Sequence, residues 1–153
     1  MADFAFNIVK GRAVELFNRV DANDPAASAL YVIPVQVSAV TDATIKDFDD
    51  FAAIIAGGVT ERSANGWNRK TLTDTDIAFG APDDVNDRYP IDFADQTWTP
   101  TSGTDTVSDL IVCYASVASP TNAQLLPISQ HDFIITPDGS LVTCTVNDFY
   151  WAT

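Results

Sequence analysis

Val107-Ser108-Asp109-Leu110-Ile111-Val112-Cys113-Tyr114-Ala115-Ser116-Val117-Ala118 is the stretch on which the fold turns. It opens with polar and apolar residues in alternation, then concentrates into Leu110 to Tyr114, rich in the β-branched and aromatic residues that suit a pleated, buried surface. We read it as a central strand with Leu110 to Tyr114 as its spine. Three further apolar runs follow: Leu125-Leu126-Pro127-Ile128, Asp132-Phe133-Ile134-Ile135 and Leu141 to Val146. None can bury itself alone, so they are expected to pair. Thr136-Pro137-Asp138-Gly139-Ser140 joins the last two with turn chemistry. Proline presets φ, aspartate bonds its own backbone and glycine accepts positive φ, so a hairpin is expected there. The C-terminal half reads as an antiparallel sheet.

Working toward the N-terminus, Ser28 to Val40 is strongly strand-like, and Pro34 inside it demotes the strand to an edge or marks a bulge. Gly11 to Val20 places Ala13, Leu16, Phe17 and Val20 at helical spacing. Thr44 opens a second helix with Asp47 as a capping-box partner, an apolar stripe of Ile45, Phe48, Phe51, Ala52 and Ile55, and Gly57-Gly58 as its stop. Asn65-Gly66 marks a turn. Ile91-Asp92-Phe93 and Gln96-Thr97-Trp98-Thr99 alternate like half-buried strands. Phe4 to Val9 is a short strand or an arm, and Phe149-Tyr150-Trp151 reads as a docked terminus. The fold class expected is α+β, mainly antiparallel β, as a β-sandwich or barrel-like sheet with about two short helices in the N-terminal half.

Length and charge bound the function. A chain of 153 residues suits a single domain over residues 1–153, with 1–10 as a possible arm, and buries about 70% of its unfolded surface without staples. Hydrophobic residues make up 46% and charged ones 19%, with a net charge of −13, which argues against disorder. All eight basic residues lie at or before Arg88, and seven aspartates follow without a Lys or Arg. Such a surface repels phosphate backbones and anionic lipid, so neither nucleic acid nor membrane is an expected partner. The start lacks a basic n-region and an apolar core, so synthesis in the cytoplasm is expected.

Candidate chemistry is sparse. His131 is the only histidine, in Ser129-Gln130-His131-Asp132. Ser129 would share its strand face while Asp132 points away, which does not make a triad. Two readings stay open: a thiol–imidazole pair with Cys113 or Cys144, or a loop histidine before a strand. The cysteines are expected as buried free thiols, with neighbouring strands able to bring them within bonding reach. Acidic clusters at Asp47-Asp49-Asp50 and Asp83-Asp84-Asp87 lack calcium-loop spacing and read as solvated charge. No catalytic residue, cofactor or metal ligand is assigned, and the chain is expected not to be an enzyme. Trp67, Trp98 and Trp151 are core residues, a sugar-stacking platform or an interface. The scarce cations Arg69 and Lys70 bond carboxylates within the fold or on a partner. Phe4, Phe6, Trp67, Arg69, Lys70, Trp98, Tyr150 and Trp151 are therefore the candidate contacts to partners or to other copies.

The order of these pieces resembles a family of tailed-bacteriophage virion proteins, encoded near the major capsid protein and including head decoration, or cement, proteins. The resemblance runs over most of the chain and is carried by Val9-Lys10-Gly11-Arg12, Asp21 to Ala29, Asp42 to Ala56, Asn68 to Leu72, Asp83 to Arg88, Gln96 to Thr99, Leu110 to Tyr114, Leu126-Pro127-Ile128, His131-Asp132-Phe133 and Thr136 to Ser140. It implies a noncatalytic capsid decoration protein on the exterior of the virion, a homotrimer that bridges and stabilises major capsid protein subunits. The alternative is a tail or neck-associated module for host recognition or carbohydrate binding, built on the same β-sandwich.

Overall fold

Leu110 to Tyr114 does form the middle of the fold. In the structure, a computed structural model that describes residues 2–147 and 149–152, the last two through their backbone alone, strand β8 (Val107–Ala115) is hydrogen-bonded along both edges. One edge pairs with β2 (Ala29–Val37) and the other with β9 (Leu126–Ile135), both antiparallel. β1 (Phe4–Ala5) extends the sheet beyond β9. On the far edge of β2, β4 (Lys70–Leu72) pairs with the first half and β3 (Val59–Glu61) with the second. The six strands make one antiparallel sheet. Two smaller antiparallel sheets accompany it: β7 (Gln96–Trp98) with β10 (Val142–Cys144), and β6 (Tyr89–Phe93) between β5 (Ile77–Phe79) and β11 (Tyr150–Ala152). With three short helices, the fold is α+β and mainly antiparallel β.

Register divides the large sheet into two faces. Val32, Leu110, Val112, Ser129 and His131 share one, while Ile33, Asp109, Ile111 and Gln130 share the other. The small sheets cover the first face: the Trp98 ring of β7 lies 6.1 Å from Phe133 of β9, and Lys70 Nζ stands 5.3 Å from the Trp98 ring. The helical segment that carries Phe51 covers the second, where Arg69 lies 5.3 Å over the Phe51 ring. Both faces being apolar explains why β8 reads as a continuous hydrophobic run. Each large side chain fully removed from water contributes about 1.5–3 kcal/mol, and Phe17, Ile33, Phe51, Ile54 and Ile111 are all 0% exposed.

Helix α1 (Ala13–Asp21) buries the expected Ala13, Leu16, Phe17 and Val20. The expected helix from Thr44 is instead two. Helix α2 (Asp42–Ile45) starts before Thr44, and α3 (Phe51–Ala56) starts afresh with Asp50, whose carboxylate accepts from Ala53 N at 2.7 Å. Aspartates prefer caps to helix interiors because their carboxylates compete for local amides, so Asp47-Phe48-Asp49-Asp50 breaks the helix rather than continuing it. Phe48 folds back over Gly57, where an added Cβ would lie 2.5 Å from the ring.

Two further expectations are corrected. Pro34 lies in an interior strand, without demoting it: its carbonyl accepts from Arg62 N at 2.9 Å, and since nitrogen and carbonyl of one residue face the same edge, its missing N–H falls where β2 exchanges β4 for β3. The segment from Pro137 to Gly139 turns as its residues require, with Asp138 accepting from Ser140 N at 2.8 Å and Gly139 at φ +93. It does not close a hairpin. Pro137 O is held by Gly103 N at 2.8 Å, and β10 leaves the large sheet to pair with β7. Turn chemistry fixes a local reversal; partner strands are chosen by tertiary packing.

Of Phe4 to Val9, only Phe4–Ala5 forms a strand; Asn7–Val9 winds into a short 3-10 helix, and the segment is docked rather than a free arm. Phe4 and Ala5 pair with Gln130 and Ser129, and Phe6 and Val9 are 0% exposed. Ala2 N and Asn7 Nδ2 bond the carboxylates of Asp42 and Asp47. Met1 lies outside the described residues.

Two stability experiments test this packing. Asp50→Ala removes the α3 cap and is expected to cost about 1 kcal/mol, read as a melting temperature lower by roughly 2–4 °C. Asp109 is 1% exposed, bonded by Gln130 Nε2 at 3.0 Å and by the Ser108 hydroxyl. Burial pushes its carboxyl above the usual range, against the bonds from Ser108 and Gln130 that lower it. The folded state therefore holds this proton more tightly than the unfolded chain. That contribution is present below the ordinary carboxylate pKa and is lost as pH rises through the raised one. Asp109→Asn is expected to melt higher than the wild type at pH 7, with the gap narrowing toward pH 4, because an amide N–H can meet Gln130 Oε1, which has no partner among the described residues.

Candidate functional site

Strand alternation on β9 sets Ser129, His131 and Phe133 on one face. His131 Nε2 lies 2.9 Å from Ser129 Oγ, and His131 Nδ1 lies 3.4 Å from Asp3 Oδ2. The other oxygen of Asp3 accepts from Asp132 N at 2.8 Å. Hydroxyl, imidazole and carboxylate thus stand in the order of nucleophile, base and orienting acid, with Asp3 where Asp132 was the only neighbour considered from sequence. Asp3 lies 128 residues from His131. Only the pairing of β1 with β9 brings them together, and nothing in the local pattern announces it.

Beside this chain of bonds is a cavity of about 460 Å³ between β9 and the segment from β10 to Phe149. Asp3, His131, Asp132 and Asn147 supply polar groups, and Phe93, Phe133 and Phe149 supply rings. Phe149 packs 4.7 Å from Phe93 and 5.3 Å from the His131 ring, centroid to centroid. Ser129 is 5% exposed and is not part of the wall. Its oxygen is held by His131 Nε2, and the side chain is all but closed to solvent. The three groups therefore act as a clasp that ties the first strand to the sheet.

The thiols do not complete a reactive pair. Cys113 is paired opposite Tyr31 and lies on the face away from His131, fully buried; burial pushes its thiol well above the ordinary range. Cys144 does share the cavity wall with His131, but burial, with a smaller contribution from Asp95, also raises its thiol. A raised pKa disfavours the thiolate that reacts or binds metal. Both cysteines are free.

Three of the clustered aspartates, Asp47, Asp50 and Asp83, are engaged in local structure. Asp83 accepts from Asn86 Nδ2 and Arg88 Nε, each at 2.8 Å, and from the amides of Val85 and Asn86 at 3.2 Å. Asn86 and Arg88 together hold its carboxyl down to about 2. Asp47 and Asp50 bond Asn7 and Ala53. Among the described residues no group of three His, Cys, Asp or Glu gathers as a metal would need.

Most candidate contact residues turn inward. Trp67 and Trp98 are each 2% exposed, pack at 5.7 Å and donate their ring N–H to Asp105 O and Asn68 O. Phe6 is fully buried. These three belong to the chain's own core, which removes them as surface contacts. Arg69 takes the intramolecular option, bonding both oxygens of Glu61 at 2.6 Å and Asn122 Oδ1 at 2.6 Å. Lys70 stands over Trp98. Phe4 and Tyr150 are half-buried, against Phe6 and Phe17. The side chain of Trp151 lies outside the described residues. Among the described residues the most exposed large apolar side chains are others: Val85 at 91%, Ile134 at 77% and Leu141 at 64%. Sequence reading missed them because an aliphatic residue in a strand or loop carries no mark of its exposure.

No family model matches the chain, and neither a curated protein nor a solved structure matches it.

A structural role for the clasp has a direct chemical check. A fluorophosphonate, which labels serines activated by an imidazole, is expected to leave the folded protein unmodified. Ser129→Ala is expected to cost about 1 kcal/mol of stability, the worth of a hydrogen bond. Covalent labelling at Ser129, found by mass spectrometry, would contradict the structural role.

Proposed function

We propose that this chain is a noncatalytic structural protein of a tailed-phage virion, most specifically a decoration protein that sits on the capsid exterior as a homotrimer and bridges major capsid protein subunits. The proposal begins from the sequence resemblance over most of the chain. The observation that supports it further is the engagement of Ser129, His131 and Asp3: the groups best suited to chemistry bond one another across a structural seam, and Ser129 is 5% exposed and absent from the cavity lining. What the molecule offers a partner is shape and charge. Its net charge is −13, with no Lys or Arg after Arg88, and Ile134, Leu141 and Val85 supply apolar contact outside the core.

Such a surface suits a repeated clamp. Each copy makes modest contacts, and symmetry multiplies them, so a shell gains resistance to internal pressure by avidity without any one tight interface. The tail or neck reading depends on exposed tryptophan beside aspartate for stacking sugars. Burial of Trp67 and Trp98 takes away two of the three rings it would use, so the shell reading has the better support.

Density maps and quantitative gels of purified virions test the proposal. On the order of hundreds of copies per particle are expected, placed on the head, as icosahedral repetition of a symmetric oligomer requires. Heads lacking the protein are expected to lose heat resistance. A handful of copies at the tail tip, with tryptophan fluorescence quenched by soluble glycans, would transfer the assignment to the host-recognition reading.

A further inference from the structure

We propose that the cavity beside His131 is a socket for an arginine side chain, presented by the partner that this protein grips; the identity of that partner rests on the shell reading above. At about 460 Å³ the space lies within the range of roughly 300–1,000 Å³ that small ligands occupy. Its chemistry is specific. Phe93, Phe133 and Phe149 give it aromatic walls, Asp3 gives it a carboxylate, and the lining among the described residues includes no Lys or Arg.

That combination selects a flat cation with an apolar stem. A guanidinium stacks on an aromatic face and donates in a fork to a carboxylate, and its methylene stem packs against rings. Asp3 retains capacity to accept: each of its oxygens takes one bond in the structure, to His131 and to Asp132 N, whereas a carboxylate has about four acceptor sites. An anionic ligand is opposed by the Asp3 carboxylate and by the seven aspartates, without a single Lys or Arg, after Arg88. The same charge raises the local concentration of cationic groups before contact. Arginine is also among the residues that most often anchor protein interfaces.

The test is an NMR titration of the intact chain with N-acetyl-arginine methylamide. Its neutral isostere N-acetyl-citrulline methylamide serves as the comparison. Saturable shifts at His131, Phe133 and Phe149 are expected, with a Kd on the order of 1–10 mM as befits one side chain. The citrulline probe is expected to bind about tenfold more weakly, having lost the charge-assisted pairing. Shifts that do not saturate, that map away from the cavity, or that are as strong with citrulline would overturn the socket. The two proposals fail separately. Arginine binding by a protein that is absent from virions sinks the shell reading alone, and abundance on virions without arginine binding sinks the socket alone.

Discussion

Two edges of one strand hold this molecule together. β8 is bonded to β2 on one side and β9 on the other, and both of its faces are covered. A buried backbone polar group left without a partner costs about as much as a lost hydrogen bond, so the neighbours of β8 are obligatory. The order of the large sheet follows from that need. So does the division of labour around it, with the helical segment that carries Phe51 on one face and the small sheets on the other. Trp67 and Trp98, each with its N–H bonded to a backbone carbonyl, fill the region where the small β7–β10 sheet meets the large one.

The polar residues inside this framework have a common character. Asp109, Ser108 and Gln130 link adjacent strands on one face, while Ser129, His131 and Asp3 link β9 to the first strand on the other. Arg69 bridges β4 to Glu61 of β3 and to Asn122. Each network closes a junction between segments far apart in sequence. Non-local junctions are where loop-closure entropy is greatest, and hydrogen bonds fix their register where apolar packing alone would tolerate a slip. Seen this way, the triad-like order of Ser129, His131 and Asp3 is a consequence of strand geometry: alternate residues of β9 share a face, and the neighbouring strand delivers a carboxylate.

Much of this architecture was legible from residue patterns, for identifiable reasons. Leu110 to Tyr114 declared itself because burial on both faces makes a continuous apolar run, and Ala13, Leu16, Phe17 and Val20 declared α1 by their spacing. Pattern reading failed where a local rule had two outcomes. Pro34 disqualifies a strand only if its missing N–H faces a partner, and here it faces the gap between two. The turn at Pro137 to Gly139 reverses the chain without specifying which strand receives it. Aspartates after Lys46 could cap or solvate, and Asp50 caps. The site was the least legible part. His131 could be singled out by its rarity, but Asp3 becomes its neighbour only through the pairing of chain segments at opposite ends, and the exposure of Ile134 depends on what fails to cover it.

The reactive-looking groups of this molecule, Ser129, His131 and Asp3, close its own seam. Native-state hydrogen exchange, comparing the wild type with Asp3→Ala, tests that claim most directly. The amides of Leu110 to Tyr114 should exchange only through global unfolding in both proteins, and the Asp132 amide should be protected in the wild type and exposed in the variant. An Asp132 amide that exchanges freely in the wild type, or protection unchanged by the loss of Asp3, would contradict it.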